Sequence, residues 1–261
     1  MVKKISRRRF RTGKMMYRME KIMKRLLCSA AILIGTAAFA DEVQPAIGWD
    51  FDKLEEGQTI SADGKYRALV TRSENVAAVP GKSGSAVSIR GKYKGNQAGA
   101  LAVKNFPFDF SKLFTVEVLV KFFGGISRKA KREIFSIADA ERGPGIRFYL
   151  YSGALIFSTG NGKKEYMVKS DSNSLNITPD AWHLLTVTYD GKKISLYFDG
   201  VRAAEKEIEI IPAKKVKVLS IGSYKNGLAY PLHGALDELK FYGFCKTPAE
   251  AAECYISFFG E

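Results

Sequence analysis

The stretch Ala181 to Gly200, AWHLLTVTYDGKKISLYFDG, constrains the fold more than any other part of the chain. Leu185, Val187 and Tyr189 alternate on one face of a strand, Asp190-Gly191 supplies a turn, Ile194, Leu196 and Phe198 alternate on the next strand, and Asp199-Gly200 turns again. Glycine accepts the positive φ that tight turns demand, so two Asp-Gly turns one strand-length apart specify a β-meander. Trp182 is expected in its core. Similar short runs, broken by Gly, Asp and Asn, occur at Ala86–Ile89, Thr115–Phe122, Glu133–Ala138, Ile146–Tyr151, Ala154–Ser158, Tyr166–Ser170, Val216–Gly222 and Ala235–Tyr242. Many short strands at this spacing imply an all-β sandwich or barrel. One short C-terminal helix is expected, because Thr247-Pro248-Ala249-Glu250 places an N-cap hydroxyl, an N1 proline and an N3 carboxylate in capping-box order.

The chain has 261 residues and a formal charge of +14. Eleven of its 41 basic residues and one of its 27 acidic residues lie in Met1 to Ala40, which leaves 30 and 26, an excess of four, on the remainder. A basic excess confined to one end weakens the case for a nucleic-acid partner. Behind the basic stretch, Leu26 to Ala40 (LLCSAAILIGTAAFA) is an uncharged apolar run ending in small-x-small order. That is the pattern of an export signal and is too short to span a bilayer. Residues 1–40 are therefore expected to be an export signal, cleaved after Ala40, with Met23 as a possible true start. Residues 41–261 are expected to form a single domain that is periplasmic, at the cell surface or extracellular. No later apolar run approaches the roughly 20 residues of a membrane span. Cys245 and Cys254 then remain in an oxidising destination, where a disulfide is expected; two small buried thiols are the alternative.

Several segments in order resemble a known family. They are Trp49-Asp50-Phe51-Asp52, Val79-Pro80-Gly81-Lys82-Ser83-Gly84-Ser85-Ala86-Val87, Phe114 to Lys121, the Ala181–Gly200 meander, and Gly234-Ala235-Leu236-Asp237-Glu238-Leu239-Lys240-Phe241-Tyr242 ahead of the helix cap. Together they resemble the laminin G-like, concanavalin A-like family. The resemblance implies a two-sheet antiparallel jelly-roll sandwich that binds glycans or proteins in secreted settings. It implies a ligand only weakly, since one scaffold carries many functions.

The residues themselves favour binding over catalysis. No Glu-x-Asp-x-x-Glu strand occurs, which argues against a retaining glycan hydrolase of this fold. His183 and His233 are the only histidines, too few for a zinc site with several His ligands, and His183 is expected to be structural. For carbohydrate, an aromatic plate beside amides and charges is required. Two predicted loops supply one, Tyr93-Lys94-Gly95-Asn96 and Tyr224-Lys225-Asn226, so Tyr93, Asn96, Tyr224, Lys225 and Asn226 are the expected ligand residues. The run Arg128-Lys129-Ala130-Lys131-Arg132 reads either as a solvated charge run or as a contact for an acidic polysaccharide or protein. Relatives in the family hold Ca²⁺ through Asp side chains and loop carbonyls. Asp237, on a strand face with Leu239 and Phe241, and Asp52, near the first strand, are the expected ligands if calcium is bound; the alternative has Asp237 accepting backbone amides and Asp52 solvated. The expected function is an exported, non-enzymatic carbohydrate-binding module, with a structural or protein-interaction domain as the alternative and a glycan hydrolase as the third.

Overall fold

The structure, a computed structural model, describes residues 44–92, 97–124, 129–139, 143–160, 164–208, 210 and 218–260. The expected leader and two of the expected ligand residues, Tyr93 and Asn96, lie outside them. In chain order the described strands are β1 (Ile47–Trp49), β2 (Gln58–Ile60), β3 (Arg67–Thr71), β4 (Val76–Pro80), β5 (Ser85–Ile89), β6 (Ala100–Lys104), β7 (Phe114–Phe122) and β8 (Arg132–Asp139). There follow β9 (Gly143–Tyr151), β10 (Ala154–Gly160), β11 (Glu165–Lys169), β12 (Trp182–Tyr189), β13 (Lys193–Phe198), β14 (Val201–Glu207), β15 (Val218–Ile221), β16 (Gly234–Tyr242) and the helix α1 (Pro248–Phe259).

The strands make two antiparallel sheets. One runs β14-β13-β12-β7-β16-β5-β4, with β1 also on β16; the other runs β11-β10-β9-β8-β15-β6-β3-β2. The first and last described strands meet in the first sheet, where Trp49 pairs with Leu239. Alternation sends Val116, Val118 and Val120 of β7 and Leu185 and Val187 of β12 into a core shared with Phe148, Leu155, Phe157 and Leu219 of the other sheet. Phe241 is its hub, with ring centroids 5.1 Å from Phe106, 5.4 Å from Phe108 and 5.7 Å from Phe135. Each fully buried side chain of this size contributes roughly 1.5–3 kcal/mol.

The same alternation corrects the placement of Trp182. Leu185 points inward, so His183 does too, while Trp182 falls on the outer face opposite Lys121, whose Nζ lies 4.7 Å over the partly buried indole. The core tryptophan is Trp49, only 1% exposed. His183 is a pin: its Nδ1 is 2.8 Å from Asp199 Oδ2, its Nε2 accepts the Thr178 N–H, and Asp199 Oδ1 accepts the Leu184 N–H.

Helix α1 closes the outer face of the first sheet. Thr247 Oγ1 accepts the Glu250 N–H while Glu250 Oε2 accepts the Thr247 N–H, the reciprocal cap expected from sequence. The helix passes so close to the β13–β14 turn that a Cβ on Gly200, at φ 75°, would stand 2.9 Å from the Cβ of Tyr255. Beneath it Lys246 Nζ meets the buried Glu117 carboxylate at 2.7 Å.

The expected disulfide is not formed in this structure. Cys245 and Cys254 are both free thiols. Cys245, just past β16, has Thr188, Asp190 and Lys193 around it and donates to the Lys246 carbonyl. Cys254 turns from the helix onto Glu117 and Lys246, where burial and the Glu117 carboxylate push its thiol up to about 12. The helix thus carries its sulfur over β7 while the other faces β12.

Candidate functional site

Strand β9 sends Ile146, Phe148 and Leu150 into the core and so presents Arg147, Tyr149 and Tyr151 on the outer face of the second sheet. Beside it, a bulge in β8 lets Ile134 and Phe135 both face the core and leaves Glu133 outward. Arg147 and Glu133 form a bidentate pair, Nε to Oε1 2.8 Å and Nη2 to Oε2 2.6 Å. Glu133 is fully buried and Arg147 only 6% exposed although both stand on an outer face. Burial pushes the Glu133 carboxyl up and Arg147 opposes it; burial works against the guanidinium too, but Glu133 more than offsets this and holds Arg147 charged.

The cover over this pair is the segment Ser223–Tyr230, which folds back onto the sheet and is fastened by buried serines. Ser220 Oγ donates to the Ser223 carbonyl and accepts the Asn226 N–H; Ser223 Oγ accepts the Gly227 N–H; Ser136 Oγ accepts the Lys225 N–H. Glu133 N–H donates to the Tyr230 carbonyl. Lys225, Asn226 and Tyr230 have φ of 47°, 55° and 55°. Three non-glycine residues in the left-handed region within six positions is strain of the kind that concentrates at functional sites.

The result is a cluster of tyrosines around three cations. The Arg147 guanidinium stands 4.4 Å from the Tyr224 ring centroid, 4.6 Å from Tyr149 and 5.7 Å from Tyr230. Lys131 Nζ stands 5.3 Å from Tyr230, 5.4 Å from Tyr149 and 5.5 Å from Tyr151. Lys225 Nζ lies 5.5 Å over Tyr224. Burial lowers the pKa of the Lys131 ammonium, with Arg147 adding to the effect, and raises the phenols of Tyr149 and Tyr224, which stay protonated. Exposed Tyr151 and Met167 extend the surface toward the sheet edge. Aromatic faces beside phenol, ammonium and guanidinium donors can stack on the apolar face of a sugar and bond its oxygens.

Of the residues expected from sequence, Tyr224 and Lys225 line this cluster. The backbone N–H of Asn226 is tied to Ser220 Oγ, and its side-chain Oδ1 is buried. Tyr93 and Asn96 lie outside the described residues, but the flanks of their loop, Gly91 and Ala98, pair with each other, and Ala98 N–H donates to the Gly227 carbonyl. The two loops therefore share a root. Of the basic run, Lys129 is exposed, Lys131 half-buried and Arg132 buried with a hydrogen bond to the Phe123 carbonyl, while Arg128 lies outside the described residues. Sequence reasoning missed Glu133, Arg147, Tyr149 and Tyr230. The available signal was Arg147 alternating with Ile146 and Phe148, a charge on the outer face of a strand too apolar to be an exposed one. A separate recess of about 360 Å³, lined by Phe122, Arg132, Leu150, Leu175, Ile177 and Pro179, opens at one end of the sandwich.

Asp52 and Asp237 each bond the β4–β5 turn. Asp237 Oδ2 accepts the Lys82 and Ser83 N–H groups at 2.9 and 3.1 Å, and Asp52 Oδ1 accepts the Ser85 N–H at 2.7 Å. Asp237 does not share the face of Leu239 and Phe241. A bulge with Glu238 at φ 50° shifts the alternation, so that Asp237 lies outward opposite Leu119 yet is buried by the turn. Burial pushes its carboxyl up to about 6, against the two amides, and its Oδ1 is buried without a hydrogen-bond partner. A Cβ on Gly81 would stand 2.7 Å from Asp237 Oδ2, 2.8 Å from the Ser85 carbonyl and 2.5 Å from that of Ser83. The oxygens that converge there suit a hard cation. Among the described residues no group of three or more His, Cys, Asp or Glu side chains is placed to hold a metal. His233 is held low by burial and by nearby Arg132 and Arg90.

The sequence profile of the concanavalin A-like lectin/glucanases superfamily matches residues 94–252, more than half of the chain. The chain belongs to this superfamily. Its members' fold is the sandwich described above, and solved structures agree. Domain 4 of AbnA, an extracellular arabinanase from Geobacillus stearothermophilus, seen in complex with arabinotriose, is 18% identical with a TM-score of 0.61, over 80% of this chain and 97% of that one. The binding domain of botulinum neurotoxin DC in complex with rat synaptotagmin II is 13% identical with a TM-score of 0.63, over 83% and 52%. The binding domain of Paraclostridial Mosquitocidal Protein 1 is 17% identical with a TM-score of 0.60, over 82% and 52%. This superfamily member thus spans about half the length of the toxin binding domains it matches. No curated protein matches the chain. Among the described residues no helix is long and apolar enough to cross a membrane.

Proposed function

We propose that the protein is an exported, non-enzymatic carbohydrate-binding module whose ligand lies on the outer face of the second sheet, against Tyr151, Tyr224 and Tyr230. The observation that carries this reading is the strained 223–230 segment. It is fastened by three buried serines so that its two tyrosines join those of β9 over a desolvated Arg147–Glu133 pair. A rigid aromatic platform with fixed donors meets the needs of sugar recognition. The arabinotriose complex of a domain with the same fold supports the ligand class. A calcium ion, if bound, would take Asp237, Asp52 and the Ser83 and Ser85 carbonyls, and would join the first and last strands to the β4–β5 turn. A protein partner is the second reading, favoured by the 59% exposed Ile256 on α1.

Thermal unfolding against a polysaccharide panel, in calcium and in chelator, tests this. A ligand that binds only the folded state adds about 2.7 kcal/mol of stability at a hundredfold excess over its Kd. The expected result is a rise in midpoint with at least one glycan that Tyr230→Ala and Tyr224→Ala each abolish. A rise that both variants retain, or none with any glycan, moves the site elsewhere or the ligand to another class.

A further inference from the structure

We infer that the carbohydrate bound on this face is acidic, a uronic-acid oligosaccharide whose carboxylate is received by Lys131. This rests on the carbohydrate reading above and narrows it. Three cations face the platform, and their situations differ. Arg147 has both sides of its fork on Glu133 and is neutralised. Lys225 stands over Tyr224 alone. Lys131 is held within 5.5 Å of three tyrosine centroids, half-buried, and among the described residues no carboxylate comes within ion-pair distance of it.

The carboxylates acting on it are Glu133, bound to Arg147, and Glu165 on β11 at longer range. Against Lys131, Lys225 and Arg147, these two leave one positive charge in excess. The tyrosine rings stabilise the ammonium through their faces, but a protonated phenol carries no charge to match it, and burial raises that of Tyr149 further. A half-desolvated ammonium without a counter-ion is where an anionic ligand gains most, since attraction there is screened less than at the surface. One unmatched charge suits one carboxylate on a sugar stacked over the rings better than a densely sulfated chain. A neutral sugar would leave the charge uncompensated.

The probes are tetragalacturonate and tetramannuronate, each as the free acid and as the methyl ester, which removes the charge and keeps the sugar. Arabinotriose is the neutral comparison and dextran sulfate the sulfated one. Titration calorimetry uses the protein, Lys131→Met, Lys131→Arg, and Lys65→Met as a remote exposed control, with melting curves confirming that each variant folds. One free acid should bind at least tenfold tighter than its ester at low salt, with the gap narrowing as salt rises. Lys131→Met should erase that preference, bringing the free acid and its ester to equal affinity, and Lys131→Arg and Lys65→Met should keep it. Equal binding of acid and ester, a preference that survives Lys131→Met, tighter binding of arabinotriose, or binding confined to dextran sulfate each overturns the acidic-sugar inference alone. No binding of any saccharide overturns the carbohydrate reading and this inference with it.

Discussion

Glu133 and Arg147 illustrate how far a single strand position can reach. Both are outward on the second sheet and both are buried, so each depends on the other. Breaking a buried pair from one side leaves the remaining charge unpaired at about 3–5 kcal/mol. Glu133→Ala is therefore expected to lose that much in urea unfolding, while Glu133→Leu with Arg147→Met recovers most of it. A loss under about 1 kcal/mol in the single variant would show the pair to be solvated. Trp49→Ala should cost about 3–5 kcal/mol as a cavity in the core, and Trp182→Ala clearly less, since its ring is only partly buried, on the outer face under Lys121. The reverse order in melting curves would contradict the placement. Tyr224 and Lys225 could be picked out from sequence because loop aromatics beside amides are conspicuous. Tyr149 could not, because in I-R-F-Y-L-Y every residue is compatible with a strand and the outward face is chosen by register.

At the scale of elements, the long strands β7, β8, β9, β12, β13 and β16 and the capped helix were legible, because each carries period-two alternation or a cap formed by side-chain chemistry. Strands β1 to β4 and β6 were not: three to five residues of mixed polarity are ordered by pairing partners rather than by pattern. The bulge at Asp237–Lys240 was equally invisible, and it reversed the face assigned to Asp237. The 223–230 segment depends on Ser220, which holds both the Ser223 carbonyl and the Asn226 amide. Ser220→Ala should cost roughly 1 kcal/mol per bond lost and speed hydrogen exchange at Asn226 and Gly227, with a matching fall in saccharide affinity. Unchanged exchange at those amides would mean that the serines do not fasten the segment. In α1, Thr247→Ala should cost about 1 kcal/mol by chemical denaturation; no change would deny the cap an energetic role.

Across the whole molecule, charge carries different meaning in different places. The excess of +14 reduces to four beyond residue 40, so binding to anions rests on where the remaining cations stand rather than on their number. The structure gathers Lys131, Arg147 and Lys225 over four tyrosines on one sheet face, while α1 covers the other sheet. Superfamily membership fixes the sandwich and leaves the ligand to such local arrangements. The most direct test of the carbohydrate face is amide chemical-shift mapping of the protein during titration with the oligosaccharide that most raises its melting point. Shifts concentrated at Lys131, Arg147–Tyr151 and Tyr224–Tyr230 are the predicted result. Shifts centred on Trp182 and Lys121, on the Phe122–Leu150 recess or on α1 would contradict the account.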